Sequence, residues 1–229
     1  MKILRLPLRA VFGLMLVLSF GLSNGQDIHF TLHQMTPLAF NPANTGGFYG
    51  SYRLSGLYRD QYRSVTGNGA YQTPTFSVDL PVIRGFKETD WVGVGMFFYS
   101  DKSGDAGLTQ STFKISAAYH WAMNKKGNNI LSIAYQTGSL QREVKNPEKL
   151  IFEDNLLNSS DPSYVSPDKN LIDTKKKGFL DHVGGLKFTS KYNKTDEFTI
   201  GIAAGKFGKP NWSVMTSGGN YEVDPRVHA

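Results

Sequence analysis

The chain has 229 residues, a formal net charge of +6 and no cysteine, which excludes disulfides and thiolate metal sites. Phenylalanine, tyrosine and tryptophan make up 13% of the residues and 24 residues are glycine, yet the mean hydropathy is only −0.32. Beyond the N-terminus, no apolar run is long enough for a transmembrane helix. For an exported chain, this composition favours a β-barrel, whose membrane strands are apolar on one face only.

The N-terminus predicts a secretory signal peptide over residues 1–25. A basic start precedes an apolar run from Ala10 to Phe20, and small residues follow as far as Gly25. The run has about half of the ~20 residues that a membrane-spanning helix needs, so we expect cleavage rather than anchoring. Residues 26–229 are then an exported domain, for which nucleic acid is not an expected partner.

The clearest predicted strand is the stretch LTQSTFKISAAYHWAM, Leu108–Met123. Its side chains alternate strictly between an apolar and a polar face, and the run is longer than the ~5–6 residues usual for soluble strands. A membrane strand with one face to lipid and one to a hydrated lumen shows this pattern, although the edge of a soluble sandwich would alternate similarly. On the membrane interpretation, Ile115→Arg blocks assembly and Ser116→Arg is tolerated.

Six further segments show period-two alternation, with weaker patterns in the last two. They are Ser51–Tyr62, Tyr71–Leu80, Trp91–Ser100, Asn129–Gln141, Phe179–Ser190 and Glu197–Phe207. The predicted fold is therefore all-β and antiparallel. Seven is an odd number of strands, whereas bacterial single-chain barrels have even strand numbers. The sequence also stops in the middle of a pattern rather than on a final strand. We therefore expect that the 229 residues are an N-terminal portion of a longer protein.

The connections between these segments alternate in length. If the first strand runs outward, the long connection Arg142–Gly178 is extracellular, and the turns near Ile83–Asp90, Asn124–Asn128 and Tyr192–Asp196 are periplasmic and short. Lys175–Lys177, in the long connection, is either a solvated cluster or a contact for lipopolysaccharide phosphates.

Several ordered motifs resemble one family, the type IX secretion system membrane proteins PorP/SprF of Bacteroidota. They are the mature start QDIHFTLHQMTPLAFNPANTGG, then YRDQYRSV with QTPTFSVDLPV, and then VGVGMFFYSDKSGDAGLTQSTFKISAAYHWAM. The residues that carry the resemblance in the first two motifs are Asn41, Pro42, Ala43, Gly46, Arg59, Gln61, Pro74, Thr75, Ser77 and Asp79.

The resemblance implies an outer-membrane β-barrel of about fourteen strands in a Gram-negative bacterium. It also implies a role in protein secretion and surface retention, gliding motility included. The implied partners are a secreted surface protein or adhesin with a type IX C-terminal signal domain, other secretion-system components and outer-membrane lipid. The alternative is a passive diffusion porin.

Neither an enzyme nor a cofactor is expected. Asp101, Ser103 and Asp105 occupy positions one, three and five of a calcium-like loop, but Ala106 and Thr112 stand where that loop needs glycine and glutamate. We therefore expect a polar loop without metal. No serine–histidine pair can be assigned by spacing, so a barrel esterase is not favoured.

Overall fold

A single antiparallel sheet contains every long strand that the sequence predicts. In the computed structural model each strand pairs with the next along the chain, in the order β1 to β8. The strands are β1 Arg53–Gln61, β2 Tyr71–Arg84, β3 Trp91–Ser103, β4 Leu108–Ala122, β5 Asn129–Val144, β6 Lys177–Lys191, β7 Glu197–Gly205 and β8 Arg226–His228. The all-β, antiparallel class is confirmed. Among the described residues no ladder joins β1 to β8.

The structure describes residues 33–84, 89–161, 163–173, 176–193, 196–207, 213, 215, 222 and 225–228. All of them belong to one compact unit, Leu32–Ala229. The predicted signal peptide lies outside the described residues and stays a prediction. No helix in the described part of the chain is long and apolar enough to cross a bilayer.

The β4–β5 hairpin shows how local sequence fixes the register. Its ladder runs without a break from Leu108 opposite Val144 to Ala122 opposite Ile130. In the turn that follows β4, Asn124 accepts a hydrogen bond from the backbone N–H of Asn128 at 2.9 Å, and Gly127 has φ +66°. Glycine adopts this left-handed conformation without the steric cost of a Cβ, so the short turn holds both strands in register.

The two faces of the sheet differ in polarity, as the alternation predicts. One face, called here the apolar face, carries exposed side chains that include Leu54, Phe76, Met96, Phe98, Phe113, Ile115, Tyr119, Ile133, Leu186 and Ile200. The opposite, polar face carries buried side chains that include Thr75, Ser77, Asp79, Thr112, Ser116, His120, Ser132, Gln136 and Asp181. This is the inverse of a soluble sheet, which turns its polar residues to water.

Strand ends and strand number differ from the prediction. β2 continues past Leu80 to Arg84 and β3 past Ser100 to Ser103. β5 continues past Gln141 to Val144, because Arg142 and Glu143 still pair with the polar end of β4. The last residues also form an eighth strand, β8, which pairs with Ala203–Gly205. The expectation of seven strands is therefore wrong, since a three-residue strand is too short to show period-two alternation.

The connection between β5 and β6 is the longest in the sheet. It contains the 3-10 turn Pro147–Lys149, the short helix Glu153–Leu157 and the 3-10 turn Pro167–Leu171. Because consecutive strands are antiparallel, the β1–β2, β3–β4 and β5–β6 connections leave from the same end of the sheet.

Candidate functional site

The segment Pro37–Gly47, called here the docked segment, contacts the polar face of the sheet. It begins with the short helix Pro37–Phe40, whose first residue is a proline that has no backbone N–H to leave unpaired. Asn41 then adopts an extended conformation and its side chain accepts a hydrogen bond from the N–H of Ala43 at 2.8 Å, which starts the 3-10 turn Pro42–Asn44. The Asn-Pro-Ala motif is thus a local turn-forming unit.

Asn41 also binds the turn to β6 and β7. Its Nδ2 donates to the carbonyl oxygen of Leu186 at 3.1 Å and to that of Ile202 at 3.3 Å, so that one side chain bonds β6 and β7. The approach requires glycines beneath it. A Cβ at Gly185 would lie 2.3 Å from Asn41 Oδ1, and one at Gly201 would lie 2.9 Å from Asn41 Nδ2.

Pro42 and Ala43 fill a small-residue surface in the middle of the sheet. Ala43 is completely buried and packs with Ala118 of β4 and Ala134 of β5. Larger side chains at these three positions would hold the turn away from the sheet. The small residues therefore allow a backbone-to-sheet approach that is close enough for the surrounding hydrogen bonds.

Charged groups hold the other end of the docked segment. The backbone N–H of Gly46 donates to Asp79 Oδ2 at 2.7 Å. Arg53 binds the same carboxylate through Nε at 2.9 Å and Nη2 at 2.8 Å, and Nη2 also donates to the carbonyl oxygen of Asn44 at 3.0 Å. Since Asp79 is fully buried, these bonds compensate its charge.

A second polar group binds the backbone next to Gly46. The carbonyl oxygen of Thr45 lies 2.8 Å from His120 Nε2, while the other ring nitrogen lies 2.7 Å from Ser132 Oγ. The His120 ring stacks on Trp91 at 4.6 Å between centroids, and Trp91 Nε1 donates to the carbonyl oxygen of Gly46 at 2.9 Å. Trp91 of β3 and His120 of β4 thereby bind two consecutive residues of the segment, and Ser132 of β5 bonds to the His120 ring.

Further bonds attach the segment at both of its ends. Lys187 Nζ donates to Asn44 Oδ1 at 3.0 Å, and Gln136 Nε2 donates to the carbonyl oxygen of Leu38 at 3.3 Å. Thr45 Oγ1 donates to Ser116 Oγ at 2.8 Å. An arginine at position 116 would displace Thr45, so we expect Ser116→Arg to release the docked segment, while the expectation that the barrel stays intact remains a prediction.

A separate ion pair lies on the polar face beyond the docked segment. Lys114 Nζ of β4 lies 2.5 Å from Asp181 Oδ2 of β6, across the intervening strand β5. Gly138 is the register partner of both residues, and a Cβ there would lie 2.5 Å from the Lys114 Cα. Because Gly138 has no Cβ, β5 can lie close to β4 at the point where the Lys114–Asp181 ion pair spans β5.

The residues singled out by the family resemblance fall into two groups. Asn41, Pro42, Ala43 and Gly46 come together in the docked segment. The other six lie on the β1–β2 hairpin. Of these, Asp79 reaches the site, because it accepts the hydrogen bond from Gly46. The remaining five lie outside the site, where the ladder pairs Arg59 with Thr73, Gln61 with Tyr71, Pro74 with Tyr58, Thr75 with Leu57 and Ser77 with Ser55.

The sequence alone does not single out Trp91, His120 or Lys187 as residues of this site. His120 falls on the polar face of the predicted β4, and this position is the sequence feature that points to a role for it. Period-two alternation predicts which face of the sheet a side chain lies on, but it does not predict that another segment of the chain covers that face.

The calcium-like loop and the basic run have other partners in the structure. Asp101 Oδ1 accepts a hydrogen bond from Thr73 Oγ1 at 2.5 Å. Within the described ranges, no group of three His, Cys, Asp or Glu residues is arranged to hold a metal. Lys175 lies outside the described residues, and Lys177 Nζ donates to the carbonyl oxygens of Ser213 and Met215.

The chemistry of the docked segment is that of an intramolecular binding site. Buried polar side chains bind backbone N–H and carbonyl groups, and small residues provide the space between them. The arrangement immobilises the chain's own segment against the polar face of the strands.

Comparison with family models gives one match. The model described as type IX secretion system membrane protein PorP/SprF covers residues 22–222. That range includes the docked segment and strands β1 to β7. Comparison with curated proteins gave no significant match, and comparison with solved structures gave none.

Proposed function

The chain belongs to the PorP/SprF family of type IX secretion system membrane proteins, and from this premise we propose that it is an outer-membrane β-barrel component of that system. In this role it binds secreted proteins during export and helps to retain them on the cell surface. It acts by binding and not as an enzyme.

The two-faced sheet supports the location in a membrane. A continuous apolar face of exposed aromatic and aliphatic side chains is stable against hydrocarbon but costly against water. The strands β2 to β6 have 13 to 16 residues, which exceeds the ~9–11 residues that a tilted strand needs to cross the hydrocarbon. We also propose that the sheet closes into a barrel.

The single observation that carries a binding role is the docked segment. A passive porin needs a water-filled passage along the polar face of its strands. Here the polar face of β3 to β7 is occupied by Pro37–Gly47. The segment is held by its own Asn41 and by hydrogen bonds with these side chains of the sheet: Arg53, Asp79, Trp91, Ser116, His120, Gln136 and Lys187. The occupied face supports a secretion partner over a diffusion porin.

The proposed partners follow from the family. Membership implies interaction with other components of the type IX secretion system. We extend this to a secreted surface protein that carries the system's C-terminal signal domain, a gliding adhesin of a Bacteroidota cell being one such protein. Outer-membrane lipid surrounds the apolar face.

The proposed orientation places the β5–β6 connection outside the cell. Long connections of outer-membrane barrels are extracellular and short turns are periplasmic. Protease added to intact cells should cut within Lys145–Lys177 and should spare the turn Asn124–Asn128. Cleavage at the turn with protection of the long connection would invert the orientation.

Co-purification tests the function. The tagged chain is isolated from detergent-solubilised outer membranes, and its partners are identified by mass spectrometry. We expect a surface protein with the C-terminal signal domain, together with secretion-system components. Ion conductance of the purified chain in planar bilayers, with no such protein recovered, would instead support the porin.

A further inference from the structure

The apolar face contains a hydrogen-bonded polar cluster on strands β5 and β6. His182 Nδ1 lies 2.6 Å from Tyr135 Oη and 3.0 Å from Thr137 Oγ1. The Tyr135 and His182 rings stack with 6.0 Å between their centroids and 17° between their planes. Both rings are exposed. These contacts join three side chains into one site, called here the His182 cluster.

Apolar side chains surround the His182 cluster. Thr137 is the register partner of Ile115 on β4 and of His182 on β6, so these three residues share one row of the sheet. Along β6, the exposed side chain of Leu180 lies on one side of His182 and that of Leu186 lies on the other. On the proposed membrane location, an ionisable ring therefore faces hydrocarbon. Such a ring is costly at this depth unless another group bonds to it.

The hydrogen bonds of the His182 cluster place the imidazole proton on Nε2. A phenol is a stronger acid than an imidazole N–H, so the Tyr135 hydroxyl donates and His182 Nδ1 accepts. A neutral imidazole that accepts at Nδ1 carries its proton on Nε2. In the part of the chain that the structure describes, no group bonds to this Nε2. Because lipid tails have no acceptor, the N–H needs an acceptor from another molecule.

A glycine leaves room for a close approach beside His182. Gly184 is the next residue on the same face of β6, and a Cβ there would meet nothing within 4 Å. Contacts between membrane helices combine small residues, which let two backbones approach, with polar side chains that bond across the contact. The same physical reasons apply to strands in lipid. The His182 cluster and Gly184 thus have the features of an intramembrane protein contact.

We propose that the His182 cluster binds another membrane-embedded component of the secretion system, one that presents a carboxylate, amide or hydroxyl oxygen on its own lipid-facing surface. The inference rests on the proposed function, because family membership brings other secretion components to this chain. A second copy is disfavoured, since a twofold contact would oppose one Nε2–H donor to another. Lipid phosphates lie at the headgroups, outside the hydrocarbon that Ile115 and its row face.

Photocross-linking in intact outer membranes tests the proposal. Leu180→p-benzoylphenylalanine places a photoreactive group two residues from His182 on the same face, about 7 Å away. After illumination, mass spectrometry identifies the cross-linked peptides. We expect a peptide from a membrane-spanning segment of another protein, with an acceptor side chain at or next to the cross-linked residue. The matched control is Ile200→p-benzoylphenylalanine. Ile200 is 57% exposed on the apolar face of β7, and this position should give lipid adducts only.

Two substitutions of His182 separate partner binding from a structural role. His182→Leu removes the donor but suits a position in lipid, so the cross-link from position 180 should fall about fivefold while heat-modifiable migration stays unchanged. His182→Gln keeps an N–H donor at a similar distance and should retain the cross-link. An undiminished cross-link in His182→Leu, or adducts only with lipid, a second copy or a soluble protein, would overturn the proposal. Failure of His182→Leu to assemble would assign the cluster a structural role and would also overturn it.

Failure of this proposal can be told apart from failure of the proposed function. If the unaltered chain co-purifies a signal-domain protein but position 180 cross-links only to lipid, the intramembrane contact is wrong and the function stands. If no signal-domain protein co-purifies, the proposed function fails, whatever the cross-linking result.

Discussion

Arg53 and Asp79 are register partners on β1 and β2, and they form a bidentate ion pair across the ladder. The same carboxylate accepts the backbone N–H of Gly46, and the same guanidinium donates to the carbonyl oxygen of Asn44. One ion pair therefore joins the first hairpin of the sheet to the docked segment.

The first prediction concerns this pair. Asp79→Asn leaves Arg53 without its buried counter-charge and weakens the bond to Gly46, so we expect a loss of about 3 kcal/mol in the free energy of unfolding. Urea titration of the folded chain in micelles, followed by heat-modifiable migration, measures it. Asp60→Asn removes the exposed ion pair with Arg63 and should cost much less, because water screens exposed ion pairs. Equal losses in both variants would contradict the role assigned to Asp79.

The second prediction tests the docking of the Asn-Pro-Ala turn. A methyl group at Gly185 would lie 2.3 Å from Asn41 Oδ1 and 2.8 Å from Pro42 Cγ, whereas one at Gly184 meets nothing within 4 Å. Gly185→Ala should therefore displace the turn at a cost of about 1–3 kcal/mol and expose residues 37–47 to protease. Gly184→Ala should leave the protease pattern unchanged. Identical patterns in the two variants would contradict the docked position.

The third prediction separates the two faces of β4. Ile115 is exposed on the apolar face, so Ile115→Arg should cost about 2–4 kcal/mol near mid-membrane and prevent assembly. Ile115→Leu, which keeps the face apolar, is the control. Ser116→Arg should instead assemble in the membrane but release the docked segment, because Ser116 contacts Thr45. Membrane fractionation and protease sensitivity distinguish these outcomes, and normal assembly of Ile115→Arg would refute the lipid-facing assignment.

The fourth prediction is a pH window for the β5–β6 connection. Hydrogen bonds from the Ser166 and Tyr164 hydroxyls hold the pKa of Asp154 below its ordinary value, and burial opposes the shift. The shared bond to Asp154 raises the pKa of Tyr164 above its ordinary value. Because the pKa of Asp154 is lower in the folded loop than in the unfolded chain, ionised Asp154 stabilises the folded loop above its unfolded pKa. This stabilisation is lost as the pH falls through the folded pKa. Because the pKa of Tyr164 is higher in the folded loop than in the unfolded chain, neutral Tyr164 stabilises the folded loop. This stabilisation is lost as the pH rises through the folded pKa.

The protection factors of the amides in residues 151–166, which are corrected for the intrinsic pH dependence of exchange, should therefore be high from about pH 5 to pH 9 and should fall below about pH 4 and above about pH 10. Asp154→Asn should abolish the dependence at low pH. Tyr164→Phe should abolish the one at high pH. A profile that either variant leaves unchanged would show that the Asp154–Tyr164 bond does not hold the loop.

The strands could be predicted from sequence because one face of each is apolar. In β4, the positions of Phe113, Ile115 and Tyr119 on one face and of Lys114 and His120 on the other follow directly from period-two alternation, and the structure agrees. The eighth strand could not be predicted, because three residues define no period.

The docked segment could be predicted only in part. Asn41, Pro42 and Ala43 stood out as a motif, but the motif does not specify which surface it binds. Gly185 lies against Asn41 and Pro42, and His120 and Lys187 bond to the neighbouring Thr45 and Asn44. All three are at least 75 residues away in the chain, and they meet the docked segment only when the sheet forms. Such long-range contacts leave no local periodicity in the sequence.

If this chain holds secreted proteins at the cell surface, as proposed, the amount of surface-bound signal-domain protein depends on its presence. Cells that lack the chain are compared with cells that carry it, by surface biotinylation and by mass spectrometry of the medium. We predict that at least one protein with the C-terminal signal domain disappears from the surface without the chain and returns on complementation. An unchanged surface inventory, with altered uptake of small solutes, would contradict the account.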